Sequence, residues 1–541
     1  MMESVNNSQS TTFAFAFPDP FNKTYQIKHT LPWTWKGFLA GLSLLLLFVV
    51  LVRTTLQYFR LEHFPGPSTT GISKIWLLRT VTSGKMHDIF YEQYKKFGPV
   101  IRVAPNSIMI SDALTWRRIC APRSPYVRGK WYKGMRFEPD RDMILSRSDK
   151  GHEEMRAKMA LGYAGRDNQD LEATMDGRIT KLLDLIRGKY TSTEEKGYRP
   201  FDWGTWANNL TLDVTTQVAF SHTVGNIEAN ADVLDYHGSV GMGLPVNTTL
   251  TVLPWIISIL ERCPFLHWIM PSIEDKHGYG QILGFSYKRV AERFSESPVV
   301  GKDLLGSFLN HGITKSEAEA EMIVAMMAGT DPAATSLRST ILYVLTNPHV
   351  HNKLVKEIAD KGLIPAPATS EIVSLATAKS LPYFQACIKE GLRIFPPFIG
   401  ALEKIVPEGG DTLPNGQFVP EGTAVGLNFY GMMRDKAIFG EDVDSYRPER
   451  WFVKAGEHVE SERLKDMERT LSCVFSAGRF TCLGKDLAII QVNKVIVELL
   501  RRFDLSLIDP LNPWESYSYG IFLQRHLWLR VTEREDAISR D

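Results

Sequence analysis

The distribution of apolar and polar residues separates a short N-terminal segment from the rest of the chain. Residues 31–53 are almost entirely apolar and are interrupted by Lys36. Such a run is long enough to cross a hydrocarbon core of about 30 Å. Trp33 and Trp35 stand near its start, where aromatic residues favour a membrane interface. The pattern therefore predicts a transmembrane anchor over 31–53.

The segments on either side of the anchor carry signals of their own. Residues 1–30 are predicted to be a lumenal tail, in which Asn6 and Asn22 begin glycosylation sequons. A cleaved signal peptide is the alternative, but no small-residue cleavage site follows the apolar run. Residues 54–67 are predicted to form a hinge, because they end in a Pro-Gly-Pro sequence that cannot continue a helix. One catalytic domain is expected over 68–541.

Beyond the hinge, the spacing of apolar residues is mainly helical. Thr314 and Glu317 form a capping-box pattern that opens a long apolar-periodic helix, and Asn347-Pro348 ends it. A second helix is expected over about 382–394. The fold class is predicted as mainly α with small β-sheets (α+β). The smaller predicted elements are strands at 100–103 and 107–110, short strands and turns between 395 and 450, a helix over about 484–503, and strands near 505–507 and 527–531.

Charge and cysteine content narrow the functional classes. The 62 Lys and Arg residues balance 61 Asp and Glu residues, so the chain has no electrostatic footprint for nucleic acid. The cysteines are too few and too irregularly spaced to predict a disulfide framework or a zinc site. The catalytic domain is therefore expected to be cytosolic and reduced. The five cysteines are Cys120, Cys263, Cys387, Cys473 and Cys482.

Cys482 lies in a loop whose composition suits a flat ligand. Gly478 and Gly484 let the backbone pass close to such a ligand, and Phe475 can pack on it. The helix expected after the loop points its N-terminus towards the sulfur, which favours a thiolate. An isolated cysteine is more often buried and inert, so the alternative for Cys482 is a structural role.

The sequence Phe475-x-x-Gly478-x-x-x-Cys482-x-Gly484 resembles the haem-binding loop of the cytochrome P450 superfamily. The resemblance covers about residues 64–535. It is closest to filamentous-fungal secondary-metabolism members of the pisatin-demethylase-like kind. It implies haem b as the cofactor, with the Cys482 thiolate as the axial ligand to the metal.

The resemblance also implies a group of residues that bind the haem. His152-x-x-x-Arg156 looks like the family's Trp/His-x-x-x-Arg, and Lys404 lies where the family often has a propionate-binding arginine. The usual arginine two residues before the cysteine is replaced by Phe480, and Arg479 stands one position earlier. We therefore expect Arg479 to make a shifted contact to a propionate. Taken alone, His152 and Arg156 would instead suit a solvated helix face.

Three further residues match family elements that stabilise the fold. Glu390 and Arg393 match the family's Glu-x-x-Arg, and Arg450 lies in a Pro-x-Arg-Trp sequence that resembles another family element. By resemblance, the three form a buried structural triad beneath the haem. Taken alone, the Glu390–Arg393 spacing would suit a surface ion pair worth well under about 1 kcal/mol.

The predicted long helix carries Ala-Gly-Thr-Asp-Pro at 328–332, which resembles the family's oxygen-activation groove. The resemblance gives catalytic roles to Gly329, Thr330 and Asp331, since the glycine leaves room for dioxygen and the acid feeds protons to it. Pro332 replaces the usual alcohol and removes one helix hydrogen bond, so a kink is expected there. The proton path must then use a threonine of this helix, water or a hydroxyl of the substrate.

The resemblance implies a monooxygenase that oxidises or hydroxylates a small hydrophobic secondary metabolite, a terpenoid or a polyketide. Electrons from NADPH would arrive through a separate flavoprotein reductase, because the chain has no Gly-x-Gly-x-x-Gly loop and no room for a flavin domain. The expected location is the endoplasmic reticulum membrane, with one span and a cytosolic catalytic domain. The substrate cavity is expected to draw on 120–145, 238–255, 398–401 and 519–522, although a plain core role suits each region equally well.

Two alternative functions stay open at this point. A haem-thiolate isomerase or dehydratase would use the iron without inserting oxygen, and Pro332 favours it because such an enzyme needs no hydroxyl there. A membrane-anchored haem-binding protein that has lost activity is the other.

Overall fold

The computed structural model describes residues 35–138, 141–168, 170–263, 265, 270–297, 301–365, 371–452 and 458–534. The chain separates into two compact units, residues 1–56 and 57–541. The predicted lumenal tail, 1–30, with its sequons at Asn6 and Asn22, lies outside the described residues.

A long helix carries the apolar N-terminal run. Helix α1 (Trp35–Arg60) contains a stretch, Gly37–Arg60, that is long and apolar enough to cross a membrane, with a mean hydropathy of 2.2. The helix continues past residue 53, so the first part of the predicted hinge is helical. Residues 54–60 contain neither glycine nor proline, and nothing in their sequence stops the helix before the turn that leads to Pro65.

The larger unit is mainly helical. Helix α6 continues as a π-helical turn over Ile186–Tyr190, and short 3₁₀ segments lie at Lys130–Met135, Pro448–Trp451, Cys473–Phe475 and Gly478–Phe480. The helices are α2 (Ile75–Thr82), α3 (Met86–Phe97), α4 (Ala113–Ile119), α5 (Asp149–Tyr163), α6 (Leu171–Leu185), α7 (Trp203–Phe220), α8 (Asn226–Ala229), α9 (Tyr236–Val252), α10 (Trp255–Leu260), α11 (Tyr279–Arg293), α12 (Leu304–Asn310), α13 (Lys315–Leu345), α14 (Pro348–Asp360), α15 (Leu375–Lys379), α16 (Pro382–Ile394), α17 (Phe429–Met432), α18 (Lys436–Phe439), α19 (His458–Ser472) and α20 (Lys485–Arg502).

Short strands form small sheets beside the helices. The strands are β1 (Val100–Ala104), β2 (Ser107–Ile110), β3 (Val127–Arg128), β4 (Pro200–Asp202), β5 (Lys404–Ile405), β6 (Asp411–Thr412), β7 (Phe418–Val419), β8 (Ala424–Leu427), β9 (Phe503–Leu507), β10 (Glu515–Ser518), β11 (Phe522–Arg525) and β12 (Trp528–Glu533). One sheet has the order β1-β2-β8-β5-β3, another has the order β4-β12-β9, and β6-β7 and β10-β11 are hairpins. Strands β2 and β8 run parallel, and the other pairs are antiparallel.

Helix α13 lies at the centre of the larger unit. Thr314 and Glu317 cap its N-terminus reciprocally, as the capping-box pattern predicts. The helix then runs through Pro332 to Leu345 and is buried over most of its length, because α7, α11, α16 and α20 pack around it. A helix that is covered on all sides offers a rigid position for the side chains that point from it into a cavity.

Most predicted elements lie within a few residues of their expected bounds. The β1–β2 hairpin, α13, α16, α20 and the terminal strands β9 and β12 are all present. The prediction of a mainly α fold with small sheets is confirmed. The pairing of β2 with β8 joins segments more than 300 residues apart, which local patterns do not encode.

Candidate functional site

The loop between α19 and α20 presents the Cys482 thiol. Two short 3₁₀ turns reverse the chain, and the Cys482 N–H donates to the Phe475 carbonyl at 2.8 Å. The Cys482 side chain is reachable by solvent, which is not expected of an inert structural cysteine. Three other cysteines are buried, namely Cys120, Cys387 and Cys473.

The groups around the sulfur of Cys482 act on its charge in opposite directions. Although part of the side chain is exposed, the protein atoms packed around the sulfur desolvate it and raise the pKa of the thiol. The Gly484 N–H, the Arg156 guanidinium and the Lys485 N–H lower that pKa, but desolvation prevails. A coordinating metal ion deprotonates a thiol outright. The N–H groups at the start of α20 would then stabilise the thiolate.

The two loop glycines serve different purposes. Gly478 has φ of 54°, and a Cβ atom there would lie 2.0 Å from the carbonyl oxygen of Cys120, so only glycine fits. A Cβ atom at Gly484 would meet Tyr163 and the Cys482 sulfur at ordinary contact distances of 3.9 and 4.0 Å. Protein packing therefore requires glycine at position 478, whereas a Cβ atom at position 484 would fit without a clash. The Phe475 ring is half-buried, with Lys485 Nζ 5.8 Å from its centroid.

Basic residues that the sequence places far apart gather next to this loop. Arg156 of α5 donates to the Thr481 carbonyl at 2.6 Å. Lys404 of β5 is fully buried, donates to the Tyr132 hydroxyl at 2.5 Å, and lies 4.2 Å from the centroid of the Phe480 ring. The His152 ring lies 5.4 Å from that same ring. The structure thus brings His152, Arg156 and Lys404 together around Phe480 and the loop.

Burial and neighbouring positive charges lower the pKa values of His152 and Lys404. Burial, Arg128 and Arg156 lower the pKa of His152 to about 3. Burial also lowers the pKa of Lys404 to about 7, with Arg128 and Arg479 acting in the same direction. His152 Nδ1 is buried without a hydrogen-bond partner in the described part of the chain. A cluster of basic groups with an unused ring nitrogen at His152 suits an anionic ligand such as the two propionates of haem.

Arg479, which belongs to the loop itself, contacts Tyr126 and Glu153. Its guanidinium donates to the Tyr126 carbonyl at 2.5 Å and lies 3.4 Å from Glu153, while Nε has no partner within the described residues. Arg479 Nε could donate to a propionate, and the expected contact stays a prediction. Arg128, a residue that sequence analysis missed, is more deeply placed: its Nε contacts Asp149 at 3.1 Å, and its guanidinium lies over Tyr132. No local motif distinguishes Arg128, because the fold alone brings it here.

Glu390, Arg393 and Arg450 form one buried network. Glu390 accepts hydrogen bonds from Arg393 at 2.7 and 2.9 Å and from Arg450 at 2.8 Å, and all three side chains are fully buried. The indole N–H of Trp451 and the backbone N–H of Arg447 also donate to Glu390. Burial raises the pKa of Glu390, but the two guanidinium groups outweigh it and hold that pKa below its usual range.

Helix α13 places its predicted catalytic residues on different sides. Ala328, Asp331 and Pro332 line the main cavity. A Cβ atom at Gly329 would lie 2.8 Å from Thr215, so this glycine allows α7 to pack closely and does not clear space in the cavity. The Thr330 hydroxyl donates to the Met326 carbonyl at 2.7 Å and is fully buried. Gly329 and Thr330 thus lie away from the cavity wall, because side chains at i and i+1 of a helix face different directions, and their catalytic roles stay predictions.

Asp331 is held from two sides within the protein. Its Oδ1 accepts from Asn208 Nδ2 at 2.7 Å, and its Oδ2 accepts from the Tyr236 hydroxyl at 2.8 Å. Burial raises the pKa of Asp331, while Tyr236, Asn208 and Arg338 act against that rise. Two buried hydrogen bonds thus hold the carboxyl group in place.

An apolar cavity of about 620 Å³ extends from α13 towards the β1–β2 sheet. Each region that the sequence predicted to line a substrate cavity contributes to it, including Trp131, Leu244, Phe398 and Ile521. Helices α2 and α3, which the sequence did not indicate, supply four more apolar residues: Leu77, Val81, Met86 and Phe90.

Comparisons with known proteins agree with this geometry. The family model described as Cytochrome P450 matches residues 65–527. Cytochrome P450 monooxygenase aba1 of Botryotinia fuckeliana is 36% identical over 481 residues, which cover 88% of this chain and 92% of that protein. Cytochrome P450 monooxygenase ABA1 of Pyricularia oryzae is 35% identical and covers 88% and 94%. Cytochrome P450 monooxygenase abl1 of Leptosphaeria maculans is 35% identical and covers 86% and 81%.

The matched range includes the Cys482 loop, the buried triad and α13, which are the features that carry the resemblance. Members of this family carry haem b with a cysteine thiolate as the axial ligand, and the residues around Cys482 fit that group. The chain belongs to the cytochrome P450 family and is a haem-thiolate oxidoreductase of the monooxygenase class.

Proposed function

We propose that the chain oxidises or hydroxylates a terpenoid or polyketide secondary metabolite, with dioxygen and with electrons that NADPH supplies through a separate flavoprotein reductase. The observation that carries the proposal is the reachable Cys482 thiol beside three hydrogen-bonding groups, Arg156, His152 and Lys404, none of which forms an ion pair among the described residues. Such a pair of features suits haem, whose iron needs a thiolate and whose propionates need cations.

Cys482 is the axial ligand in this proposal. The bound haem supplies the oxygen-activating chemistry, which a thiolate ligand favours. Arg156, His152 and Lys404 hold the propionates, and the triad around Glu390 fixes the fold beneath them. The protein's contribution is therefore to fix the ligand, to orient the macrocycle and to shape the space above it.

The cavity supports the proposed class of substrate. Its volume of about 620 Å³ falls within the roughly 300–1,000 Å³ of small-molecule sites. Its walls are mainly apolar by area, and polar or charged side chains, among them Lys74, Arg128, Asp331 and Glu403, also line it. An apolar substrate gains by burying its surface there and displaces water from the reacting centre. Asp331 supplies protons at its carboxyl oxygens.

Helix α1 supports a location at the endoplasmic reticulum membrane. The stretch Gly37–Arg60 has the length and composition of one span. In this proposal the tail lies in the lumen, and the catalytic domain lies in the cytosol, where the reductase reaches it.

The test begins with the host in which the gene for this chain is deleted. The compound that accumulates is identified and incubated with membranes that contain the full chain, a flavoprotein reductase, NADPH and isotopically labelled dioxygen. The expected product carries one labelled oxygen atom and forms only when both NADPH and dioxygen are present. Turnover without either would contradict the proposal and indicate an isomerase or dehydratase.

A further inference from the structure

Asp331 separates two cavities. On one side it lines the apolar cavity described above, and on the other it lines a second pocket of about 10 Å³. That volume is close to the roughly 10–15 Å³ that one water molecule needs. The second pocket lies between α7, α9, α13 and β11 and is lined by Asn208, His237, Asp331, Arg338, Phe522, Leu523, Gln524 and Arg525.

Two residues that line the second pocket carry buried polar atoms without a partner among the described residues. Gln524 is 3% exposed, yet neither its Oε1 nor its Nε2 has a hydrogen-bond partner in the described part of the chain. His237 Nε2 is likewise buried without a partner there. Buried polar side chains are normally hydrogen-bonded, and a water that makes about three hydrogen bonds is the usual partner in such a site.

The pocket is lined both by an exposed residue and by the buried acid. Arg525 is exposed, whereas Asp331 is 1% exposed. Tyr236 and Asn208 hold both oxygens of Asp331, and Arg338 in turn donates to Asn208 Oδ1. The carboxyl group therefore stays between the two cavities, because rotation would break two buried hydrogen bonds.

The main cavity lacks the hydroxyl that family members usually place after the acid. Pro332 occupies that position and has neither a hydroxyl nor an N–H group. Thr330 donates its hydroxyl hydrogen to the Met326 carbonyl and does not line the cavity. Protons that reach the cavity from this part of α13 are thus expected to come from Asp331. Asp331 would receive them on the side that faces the second pocket.

We propose that His237 and Gln524 hold a water molecule that passes protons from the surface to Asp331, which releases them into the substrate cavity. This inference rests on the proposed monooxygenase reaction, in which one oxygen atom enters a C–H bond and the other leaves as water. That reaction consumes one dioxygen, two electrons from the reductase and two protons from solvent. His237 and Gln524 act here as positioning residues.

The first test is structural and does not depend on turnover. A high-resolution crystal structure of the haem-loaded full chain is expected to show an ordered water within about 3 Å of Gln524, His237 Nε2 and the Asp331 carboxyl group. The Gln524→Met variant should lose that water, because methionine fills a similar volume without a hydrogen-bonding amide. Absence of the water in the unsubstituted protein would overturn the proposal.

The second test measures proton delivery. We expect Gln524→Met to lower product formation at least about tenfold, to raise the solvent isotope effect and to divert more electrons to hydrogen peroxide, with substrate binding unchanged. Gln491→Met is the matched control, because Gln491 is also a glutamine that is 3% exposed, but it lies on α20 and does not line the pocket. An unchanged rate and isotope effect in Gln524→Met would overturn the proposal.

A second pair of variants covers the case in which Gln524→Met does not fold. His237→Gln keeps a polar atom near the pocket and should retain most activity, whereas His237→Phe should behave as described for Gln524→Met. Equal activity of this pair would count against the water relay. If the unsubstituted chain consumed no dioxygen with its substrate, the proposed function would fail, whereas the crystallographic water would still test the pocket.

Discussion

Tyr236 donates a hydrogen bond of 2.8 Å to Oδ2 of Asp331, so the acid of α13 is tied to the first residue of α9. Both side chains are 1% exposed. Helix α9 also contributes Leu244, Asn247, Thr248 and Thr251 to the wall of the substrate cavity. One helix therefore shapes the substrate cavity and fixes the acid that supplies protons to it.

Replacement of Tyr236 by phenylalanine removes this hydrogen bond without changing the size of the ring. The Asp331 oxygen then lacks a buried donor, so the free energy of unfolding should fall by about 1–3 kcal/mol. Thermal unfolding followed by circular dichroism measures the change. Tyr517→Phe is the control, because Tyr517 is 43% exposed on β10 and should leave stability within about 0.5 kcal/mol of wild type. Equal losses in both variants would contradict the assignment.

The buried triad should be much more sensitive to charge than to shape. Glu390→Gln keeps the side-chain volume but leaves the Arg393 and Arg450 guanidinium groups buried without their shared counter-charge. Breaking a buried ion pair in this way costs about 3–5 kcal/mol. We expect a large drop in the unfolding temperature and poor haem incorporation.

The control for the triad is an exposed pair of the same spacing. Glu462→Gln breaks the contact with Lys465, in which both side chains are more than half exposed. Surface pairs contribute at most about 1 kcal/mol, so this variant should unfold like wild type. A Glu390→Gln protein as stable as Glu462→Gln would show that the triad does not stabilise the fold.

Pro332 is predicted to lower the stability of α13. It has no N–H to donate to the Ala328 carbonyl, and proline inside a helix costs about 3 kcal/mol. Pro332→Ala should restore that hydrogen bond and raise the free energy of unfolding by up to about 3 kcal/mol. Chemical denaturation of the haem-loaded protein measures the gain. A loss of stability would mean that the surrounding helices have adapted to the proline.

Glu321 gives the protein a pH-dependent stability. It is 1% exposed on α13, accepts a hydrogen bond from the Ile144 N–H at 2.7 Å, and has Arg147 3.7 Å away. Burial raises the pKa of Glu321 to about 8, which prevails over the lowering by Arg147. The folded protein therefore keeps a proton that the unfolded chain releases above about pH 4.3.

The contribution of Glu321 to stability is therefore complete below about pH 4.3 and is lost as the pH rises towards about 8. Across that window the free energy of unfolding should fall by up to about 1.4 kcal/mol per pH unit because of this group. Glu321→Gln cannot titrate and should show a shallower fall between about pH 5 and about pH 8. Parallel slopes for the two proteins would show that Glu321 is not the titrating group.

Sequence patterns predicted the elements around the site well because those patterns are local. The Thr314–Glu317 capping box and the proline that ends the helix set the bounds of α13, and both act within a few residues of the chain. The end of α1 was predicted less well. The predicted anchor ends at Arg53, where the apolar run ends. A charged residue does not stop a helix, however, and α1 continues to Arg60.

Local patterns did not predict which residues contact the site residues. Motif spacing singled out Asp331, yet its partners Asn208 and Tyr236 come from helices about 100 residues away. Gly329 matched the motif, but its actual neighbour is Thr215 of α7. Neither pairing has a local signal, because each depends on how the helices cross.

The central claim is that Cys482 ligates the haem iron, and the carbon monoxide difference spectrum of the reduced full chain tests it most directly. We expect the unsubstituted protein to show the band typical of thiolate-ligated haem. Cys263→Ser should keep the band, because Cys263 lies outside the loop between α19 and α20. Cys482→Ser should lose it. Retention of the band in Cys482→Ser, or its absence from the unsubstituted protein, would contradict the claim.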